Sequence, residues 1–176
     1  MMQGDINTGL ARPTMQIMHS DADESENYEP EDIRDVKGDG NCFFRCISVA
    51  LYENEDEHKE IRENVVQKIV AEREFYGAYT DKDFEKHVEG MSRSNGSNDS
   101  WATEAELIAT SNFYDDDVYV YLHKEKNWEW HTYTKDGKCH HERKHIKILS
   151  TGSHFKLVRD EGRPCKCGRN ETTRTT

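Results

Sequence analysis

The sequence lacks long apolar runs and any excess of positive charge. Its 176 residues include 24 Lys or Arg and 35 Asp or Glu, which gives a net charge of −11. The mean hydropathy is −1.03, and no stretch approaches the ~20 consecutive apolar residues that span a bilayer. An acidic surface repels phosphate backbones and anionic headgroups. We therefore expect neither nucleic acid nor a membrane as a partner.

The sequence also lacks an even number of cysteines. Five cysteines cannot all pair with one another, and their spacing does not suggest a disulfide framework. The first 35 residues contain no apolar run of the kind that forms the core of a secretory signal peptide. We therefore expect reduced thiols and a cytoplasmic or nuclear location.

A histidine-rich segment late in the chain invites a metal interpretation. A structural zinc site needs four ligands at matched spacing, and this segment does not have it. Cys165 and Cys167 supply at best half of a thiolate site. We expect neither a metal nor a cofactor. The residues of the segment are Cys139, His140, His141 and His145.

The two ends of the chain are polar, whereas the middle carries the apolar periodicities. Residues 1–32 are predicted to form a disordered acidic tail, because they hold too little apolar surface to offset the entropy of ordering. Residues 33–160 are predicted to form one domain, which a chain of this size can support with its own core. Residues 161–176 are predicted to form a flexible C-terminal tail.

Helical patterns fill the first half of the predicted domain. One helix is predicted over about 42–52, and a second over about 57–75, where apolar residues recur every four positions. Thr80 is the predicted N-cap of a third helix. A fourth is predicted to begin at Thr103, where Glu106 completes the spacing of a capping box, and to end near residue 112.

Strand patterns fill the second half. Alternating apolar and polar residues predict strands around 118–122 and 128–131. Two further strands are predicted over 145–149 and 154–158, and the turn at 150–153 joins them as a hairpin. Helices followed by strands favour an α+β class.

Cys42 is the main candidate for a nucleophile. It follows the turn Asp39-Gly40-Asn41 and opens a predicted helix, whose free N–H groups and partial positive charge stabilise a thiolate. Gly40 permits a sharp bend and leaves room for an approaching carbonyl group. The N–H groups of Cys42 and of the preceding loop are candidates for an oxyanion hole. The alternative is a buried structural cysteine, a role that Cys46 fits.

His154 is the candidate general base, because it follows the turn at the mouth of the last hairpin. A Cys–His pair assembled from distant segments is the core of thiol-dependent acyl transfer. The alternative is an ordinary surface or core histidine, since position alone does not select one of nine histidines.

Three segments resemble, in the right order, the motifs of the ovarian-tumour (OTU) cysteine proteases, which are deubiquitinases. Residues 39–45 resemble the nucleophile motif of that family. Residues 101–107, followed by Ala109, resemble its central tryptophan-led motif, and residues 153–155 resemble its C-terminal motif of histidine and an aromatic residue. Together they span nearly all of the predicted domain.

This resemblance implies a papain-like α/β (α+β) fold, with helices around a small, twisted, mostly antiparallel sheet. The implied activity is hydrolysis of the isopeptide bond at the C-terminal glycine of ubiquitin. The implied partners are ubiquitin or polyubiquitin chains, or a ubiquitin-like modifier. Catalysis is implied for Asp39, Cys42 and His154, and substrate or oxyanion contacts for Gly40, Asn41 and Trp101. Asp39 also has a structural interpretation, as a turn residue that caps the helix.

One position departs from the family pattern. Many members carry Asp or Asn two residues after the histidine, where it orients the imidazole, but here that residue is Lys156, which cannot accept a hydrogen bond. Either the enzyme works as a dyad or another acceptor approaches His154, and Asp35 and Asn112 are the candidates. A catalytically weak or silent ubiquitin-binding module of the same fold is therefore the alternative function.

Overall fold

A five-stranded sheet with helices packed on one face forms the structure, a computed structural model that describes residues 28–80, 83–93, 96–140, 142–162 and 164. The helices are α1 Cys42–Tyr52, α2 His58–Ala71, α3 Arg73–Tyr76, α4 Phe84–Ser92 and α5 Glu104–Tyr114. The strands are β1 Ile33–Arg34, β2 Asp117–Lys124, β3 Asn127–Tyr133, β4 His145–Ser150 and β5 Phe155–Val158. Within these described ranges, no helix is long and apolar enough to cross a membrane.

The strands lie in the order β1-β5-β4-β2-β3. Among the described strands, β2 and β4 pair in parallel and the other three pairs are antiparallel. The predicted α+β class and mostly antiparallel sheet are therefore confirmed. The predicted last hairpin is β4–β5, and it pairs Ser150 with Phe155 next to the turn. β1 was not predicted, because two residues are too short for an alternating pattern to show.

Alternation along the strands separates the two faces of the sheet. One face turns Val118, Val120 and Ile148 toward the helices, where they join the main core with residues of α1, α2 and α5. The other face carries a smaller cluster around Tyr121 and Trp130. Because α1 packs against β5, the N-terminus of this helix lies close to the start of that strand.

The predicted helices differ from the observed ones at their boundaries. The first is confirmed as α1, whereas the second ends early and α3 follows after Glu72. The predicted N-cap at Thr80 is wrong. The Thr80 hydroxyl donates to the Gly77 carbonyl and closes a short 3-10 turn, while the Asp83 carboxylate accepts the N–H groups of Glu85 and Lys86 and caps α4.

The predicted capping box is confirmed at the start of α5. The Thr103 N–H donates to Glu106 Oε2 at 2.7 Å. Glu106 is fully buried, and its other oxygen lies 2.6 Å from Nε2 of His87 on α4. The Glu106 carboxylate therefore caps the N-terminus of α5 and also links α5 to α4. These two contacts hold the segment that leads into α5 in place.

Both ends of the described chain are attached to the sheet. Residues 28–32 belong to the predicted N-terminal tail, yet the Trp130 indole donates to the Tyr28 carbonyl at 3.0 Å. The N–H groups of Glu31 and Asp32 each donate to the Asp160 carboxylate at 3.0 Å. Residues 1–27 and 165–176, which hold most of the two predicted tails, lie outside the described residues.

Candidate active site

A cleft of about 660 Å³ opens where the loop before α1 faces the start of β5. It brings together five of the six predicted site residues, which are Asp39, Gly40, Cys42, Trp101 and His154. The sixth, Asn41, is buried beneath the loop. Residues 42 and 154 are far apart in the sequence, and they meet here because α1 packs against β5.

Cys42 is the first residue of α1 and is 9% exposed. Its Sγ accepts a hydrogen bond from the Phe155 N–H at 3.4 Å, so the backbone next to His154 lies directly against the sulfur. Burial raises the pKa of the Cys42 thiol, and this effect exceeds the opposing hydrogen bonds from the N–H groups of Phe155 and Phe43. In this resting arrangement the sulfur is therefore a protonated thiol at neutral pH.

His154 is oriented by a carboxylate from the other wall of the cleft. Its Nε2 lies 2.8 Å from Oδ1 of Asp35, so the carboxylate accepts the Nε2 proton and leaves Nδ1 as the basic nitrogen. The Cε1–Nδ1 edge of the ring lies against the loop before Cys42, since these two atoms lie 3.6 and 3.7 Å from the position that a Cβ on Gly38 would take. Within the described part of the chain, no hydrogen bond joins the His154 ring to Cys42.

Asp35 is one of the two residues predicted to orient His154 in place of the Asp or Asn that many family members carry at position 156. The His154 hydrogen bond and the charge of Lys156 hold the pKa of the Asp35 carboxyl below its usual value. Lys156 Nζ lies 3.7 Å from the second oxygen of Asp35. The other predicted acceptor, Asn112, donates instead to Tyr76 Oη at 3.1 Å and does not orient His154. Lys156 thus supports the carboxylate that does the orienting.

Asp39 is held by the first helix. Its carboxylate accepts Nε and Nη2 of Arg45 at 3.1 and 2.6 Å, and it also accepts the Asn41 N–H at 3.2 Å. Arg45 holds the pKa of the Asp39 carboxyl well below its usual range. The charge of Asp39 raises the pKa of Cys42 and so opposes the thiolate. These contacts match the structural interpretation of Asp39 as the residue that shapes the loop.

The loop leaves a small set of donors for an oxyanion. The Asn41 N–H is taken by Asp39, and the Asn41 Oδ1 accepts from Arg62 at 2.9 Å. Within the described residues, the N–H groups of Gly40 and Cys42 make no hydrogen bond to another residue, although the Cys42 N–H interacts with its own Sγ, and both residues line the cleft. They are the available oxyanion donors, whereas Asn41 serves the loop from below.

Glycine is required at the bend. Gly40 has φ +81°, and a Cβ on it would lie 2.5 Å from the Gly96 Cα. Two backbones therefore meet at the cleft without side chains between them. Trp101, which is 36% exposed, lines the cleft beyond Gly96. The result is a narrow entrance beside the candidate nucleophile.

Arg62 is a buried charge that was not among the predicted site residues. It lies on α2 in the same stripe as Val66 and Ile69, yet its guanidinium reaches the loop before Cys42. A lone arginine on the apolar face of an amphipathic helix was the signal in the sequence.

In the histidine-rich segment, His140 contacts two carboxylates. The two ring nitrogens of His140 lie 2.9 Å from Asp117 and 3.1 Å from Asp136. Cys42 and Cys46 are free thiols, as predicted, but Cys139 is disulfide-bonded, so the prediction of reduced thiols fails there. No group of three or more ligands suited to a metal occurs among the described residues, which do not include His141, Cys165 or Cys167.

A model of the OTU-like cysteine protease family matches residues 37–157. The chain belongs to this family. OVARIAN TUMOR DOMAIN-containing deubiquitinating enzyme 7 of Arabidopsis thaliana is 30% identical over 132 residues, which are 74% of this chain and 33% of that protein. Enzyme 10 of the same series, also from Arabidopsis thaliana, is 34% identical over 79 residues, or 45% of this chain and 21% of that protein. The chain thus spans a fifth to a third of the length of these relatives.

Solved OTU domains share the fold at low sequence identity. The OTUD1 OTU domain matches with a TM-score of 0.62 and 19% identity, over 73% of this chain and 85% of that one. An OTU deubiquitinase from Wolbachia pipientis, solved bound to ubiquitin, has a TM-score of 0.54 and 13% identity, over 73% and 95% of the two chains. The predicted OTU fold is therefore confirmed.

Proposed function

We propose that the chain is a thiol-dependent deubiquitinase, which hydrolyses the isopeptide bond at the C-terminal glycine of ubiquitin. The observation that carries the proposal is that Cys42, His154 and Asp35 line the same cleft. Named relatives are deubiquitinating enzymes, and a solved OTU neighbour is bound to ubiquitin. A cytoplasmic or nuclear location remains a prediction.

The geometry supports a two-step acyl transfer. His154 Nδ1 takes the proton from the Cys42 thiol, and the thiolate attacks the glycine carbonyl. The N–H groups of Gly40 and Cys42 stabilise the oxyanion of the tetrahedral intermediate. The intermediate collapses to a thioester as the lysine amine leaves with the proton from His154. Water, deprotonated by the same imidazole, then hydrolyses the thioester and restores the thiol.

The cleft suits the ubiquitin C-terminus in size and charge. That tail ends in Arg-Gly-Gly, so its last residues carry no side chains and its arginine is cationic. The Gly40–Gly96 contact and Trp101 narrow the entrance, which favours glycine over bulkier residues. Asp35 at the rim and the net charge of −11 favour a cationic tail.

The second candidate is a ubiquitin-binding module of the same fold with weak or no catalysis. Two observations favour it: burial raises the pKa of the Cys42 thiol, and no hydrogen bond among the described residues joins the His154 ring to Cys42. A resting thiol of this kind needs the substrate to bring it into contact with His154. Catalytic hydrogen bonds are often long before substrate binds, so the first proposal is preferred.

A ubiquitin probe with a thiol-reactive C-terminus separates these functions. We expect the parent chain to form a covalent adduct, and Cys42→Ala to form none. Cys46→Ala is the matched control, because Cys46 is also a free buried thiol on α1, and it should react like the parent. Binding of ubiquitin without an adduct in any variant would support the silent module. Probes built on ubiquitin-like modifiers test the choice of modifier.

A further inference from the structure

We propose that Arg62 is a positioning residue that sets the direction of the oxyanion donors in the cleft. It acts through the peptide group between Gly40 and Asn41, not by touching the substrate. The inference rests on the proposed function, since it assumes that an oxyanion forms beside Cys42.

Arg62 joins two segments that are distant in the sequence. Its Nη2 donates to the Gly40 carbonyl at 3.0 Å and to Asn41 Oδ1 at 2.9 Å. Its Nη1 donates to the carbonyls of Met91 and Ser100 at 3.1 and 2.8 Å. The residue is 3% exposed. One rigid guanidinium therefore holds both the loop before Cys42 and the segment that leads to the far wall.

The hydrogen bonds fix a peptide plane at its two edges. The C=O and N–H of a trans peptide group point in opposite directions. The Gly40 carbonyl points to Arg62, so the Asn41 N–H points to the other side, where it donates to Asp39 at 3.2 Å. Gly40 is the most conformationally free residue in the loop. Without Arg62 this plane can rotate and turn the Gly40 oxygen toward the side on which Asp39 lines the cleft.

Rotation of that plane would harm catalysis in a specific way. A carbonyl oxygen turned toward the developing oxyanion repels it, and the Gly40 and Cys42 N–H groups on either side lose their alignment. The loss appears only when negative charge develops on the carbonyl oxygen of the substrate. The Asp35–His154 contact lies outside this peptide group, and a lysine at position 62 would keep the positive charge that acts on Cys42.

Arg62 also holds in place the segment that forms the opposite wall of the cleft. Ser100 precedes Trp101, and Gly96 of the same segment packs against Gly40. The guanidinium stacks on Phe44, with its central carbon 4.3 Å from the ring centroid. Burial lowers the pKa of Arg62 to about 10, so the side chain remains charged at neutral pH. Its positive charge and its planar guanidinium group both strengthen the hydrogen bonds that Arg62 donates to its four acceptor oxygens.

Arg62→Lys tests the proposal, because lysine keeps the charge but not the planar fork. We expect kcat for a fluorogenic ubiquitin C-terminal amide to fall about 10²-fold, the usual loss for one oxyanion donor, with KM nearly unchanged. Affinity for a ubiquitin C-terminal aldehyde, which forms a tetrahedral adduct with the thiol, should fall by a similar factor. Alkylation of Cys42 by iodoacetamide, which forms no oxyanion, should stay within about twofold of the parent.

Two further variants keep the test informative. Ile69→Ala destabilises the same helix without touching the loop, and it should leave kcat and aldehyde affinity unchanged. If Arg62→Lys does not fold, Asn41→Ala removes one acceptor of the guanidinium and should show the same pattern at about tenfold.

The proposal is overturned if folded Arg62→Lys keeps kcat within about twofold of the parent, or if alkylation falls as far as hydrolysis. The first result would make Arg62 only structural, and the second would show a general collapse of the cleft. Failure of the proposed function looks different, since the parent chain itself would then not cleave the ubiquitin substrate.

Discussion

Replacing Asp35 with alanine is expected to slow turnover without unfolding the domain. In the structure its Oδ1 accepts the His154 ring N–H at 2.8 Å, and this contact leaves Nδ1 free to take the thiol proton. Alanine removes the acceptor, so the imidazole samples both tautomers and several orientations. KM should change little, because Asp35 acts on the base and not on the bulk of the substrate.

The size of the effect follows from the contact and from its exposure. A hydrogen bond to a charged group contributes about 1.5–3 kcal/mol. The Asp35 side chain is 64% exposed, so water replaces part of the lost contact and the lower end applies. At about 1.4 kcal/mol per factor of ten, kcat should fall about 10- to 30-fold. The buried aspartate of a serine-protease triad is worth ~10⁴, and the exposure of Asp35 explains the smaller expectation here.

The assay is steady-state hydrolysis of a fluorogenic ubiquitin C-terminal amide, with kcat and KM measured separately. In the serine-protease triad even asparagine loses that factor of ~10⁴, because the buried amide selects the wrong tautomer. An exposed Asp35→Asn side chain is free to turn its oxygen toward the ring N–H, so this variant should be more active than Asp35→Ala. Asp32→Ala removes an exposed carboxylate of the same segment that does not contact His154, so it should match the parent. Lys156→Asn places an acceptor at the position the family commonly uses. Added to Asp35→Ala, it should restore part of kcat.

Parent-like kcat in Asp35→Ala would refute the reasoning, because the imidazole would then need no acceptor at Nε2. A loss that Asp35→Asn shares in full would also contradict it, since the amide oxygen should still orient the ring. Thermal unfolding of each variant shows that the compared chains are folded at the assay temperature.

Three further results are expected. Gly40→Ala should abolish activity and lower the free energy of unfolding, measured in urea, by about 1–3 kcal/mol or more. Gly152→Ala should cost less, because Gly152 also has a positive φ but a Cβ there would meet nothing within 4 Å. Glu106→Ala should cost about 3–5 kcal/mol by breaking a buried pair, whereas Glu89→Ala, at a surface pair, should cost under about 1 kcal/mol in the same titration. Burial raises the pKa of Tyr76 from 10.0 to about 12, so its contribution to stability is complete below pH 10 and is lost toward pH 12. Tyr76→Phe should flatten that decline in unfolding measured across alkaline pH.

Local patterns predicted the parts of the site that depend on nearby residues. The turn before Cys42, the capping box at Thr103 and the hairpin that presents His154 each need only a few adjacent positions, and each is present. The third helix start was misplaced because Thr80 and Asp83 are both good caps, and the choice depends on the 3-10 turn that Thr80 closes.

The parts of the site that depend on residues distant in the sequence were harder to predict. Asp35 and His154 are separated by 119 positions, and the pairing of β1 with β5 brings their segments together. The sequence narrowed the acceptor to Asp35 or Asn112, but it held no signal that ranked them. Arg62 lay in an apolar stripe, yet its four acceptors are backbone carbonyls and one amide from segments that no periodicity connects.

The joined ends of the domain have an engineering consequence. The Tyr28 hydroxyl donates to the Gly162 carbonyl at 2.9 Å, while β5 begins at the cleft and runs away from it. A short linker between these two residues should permit circular permutation, with new termini opened in the exposed β2–β3 turn at 125–126. The rearranged polypeptide would then keep Cys42 and His154 on either side of the same cleft.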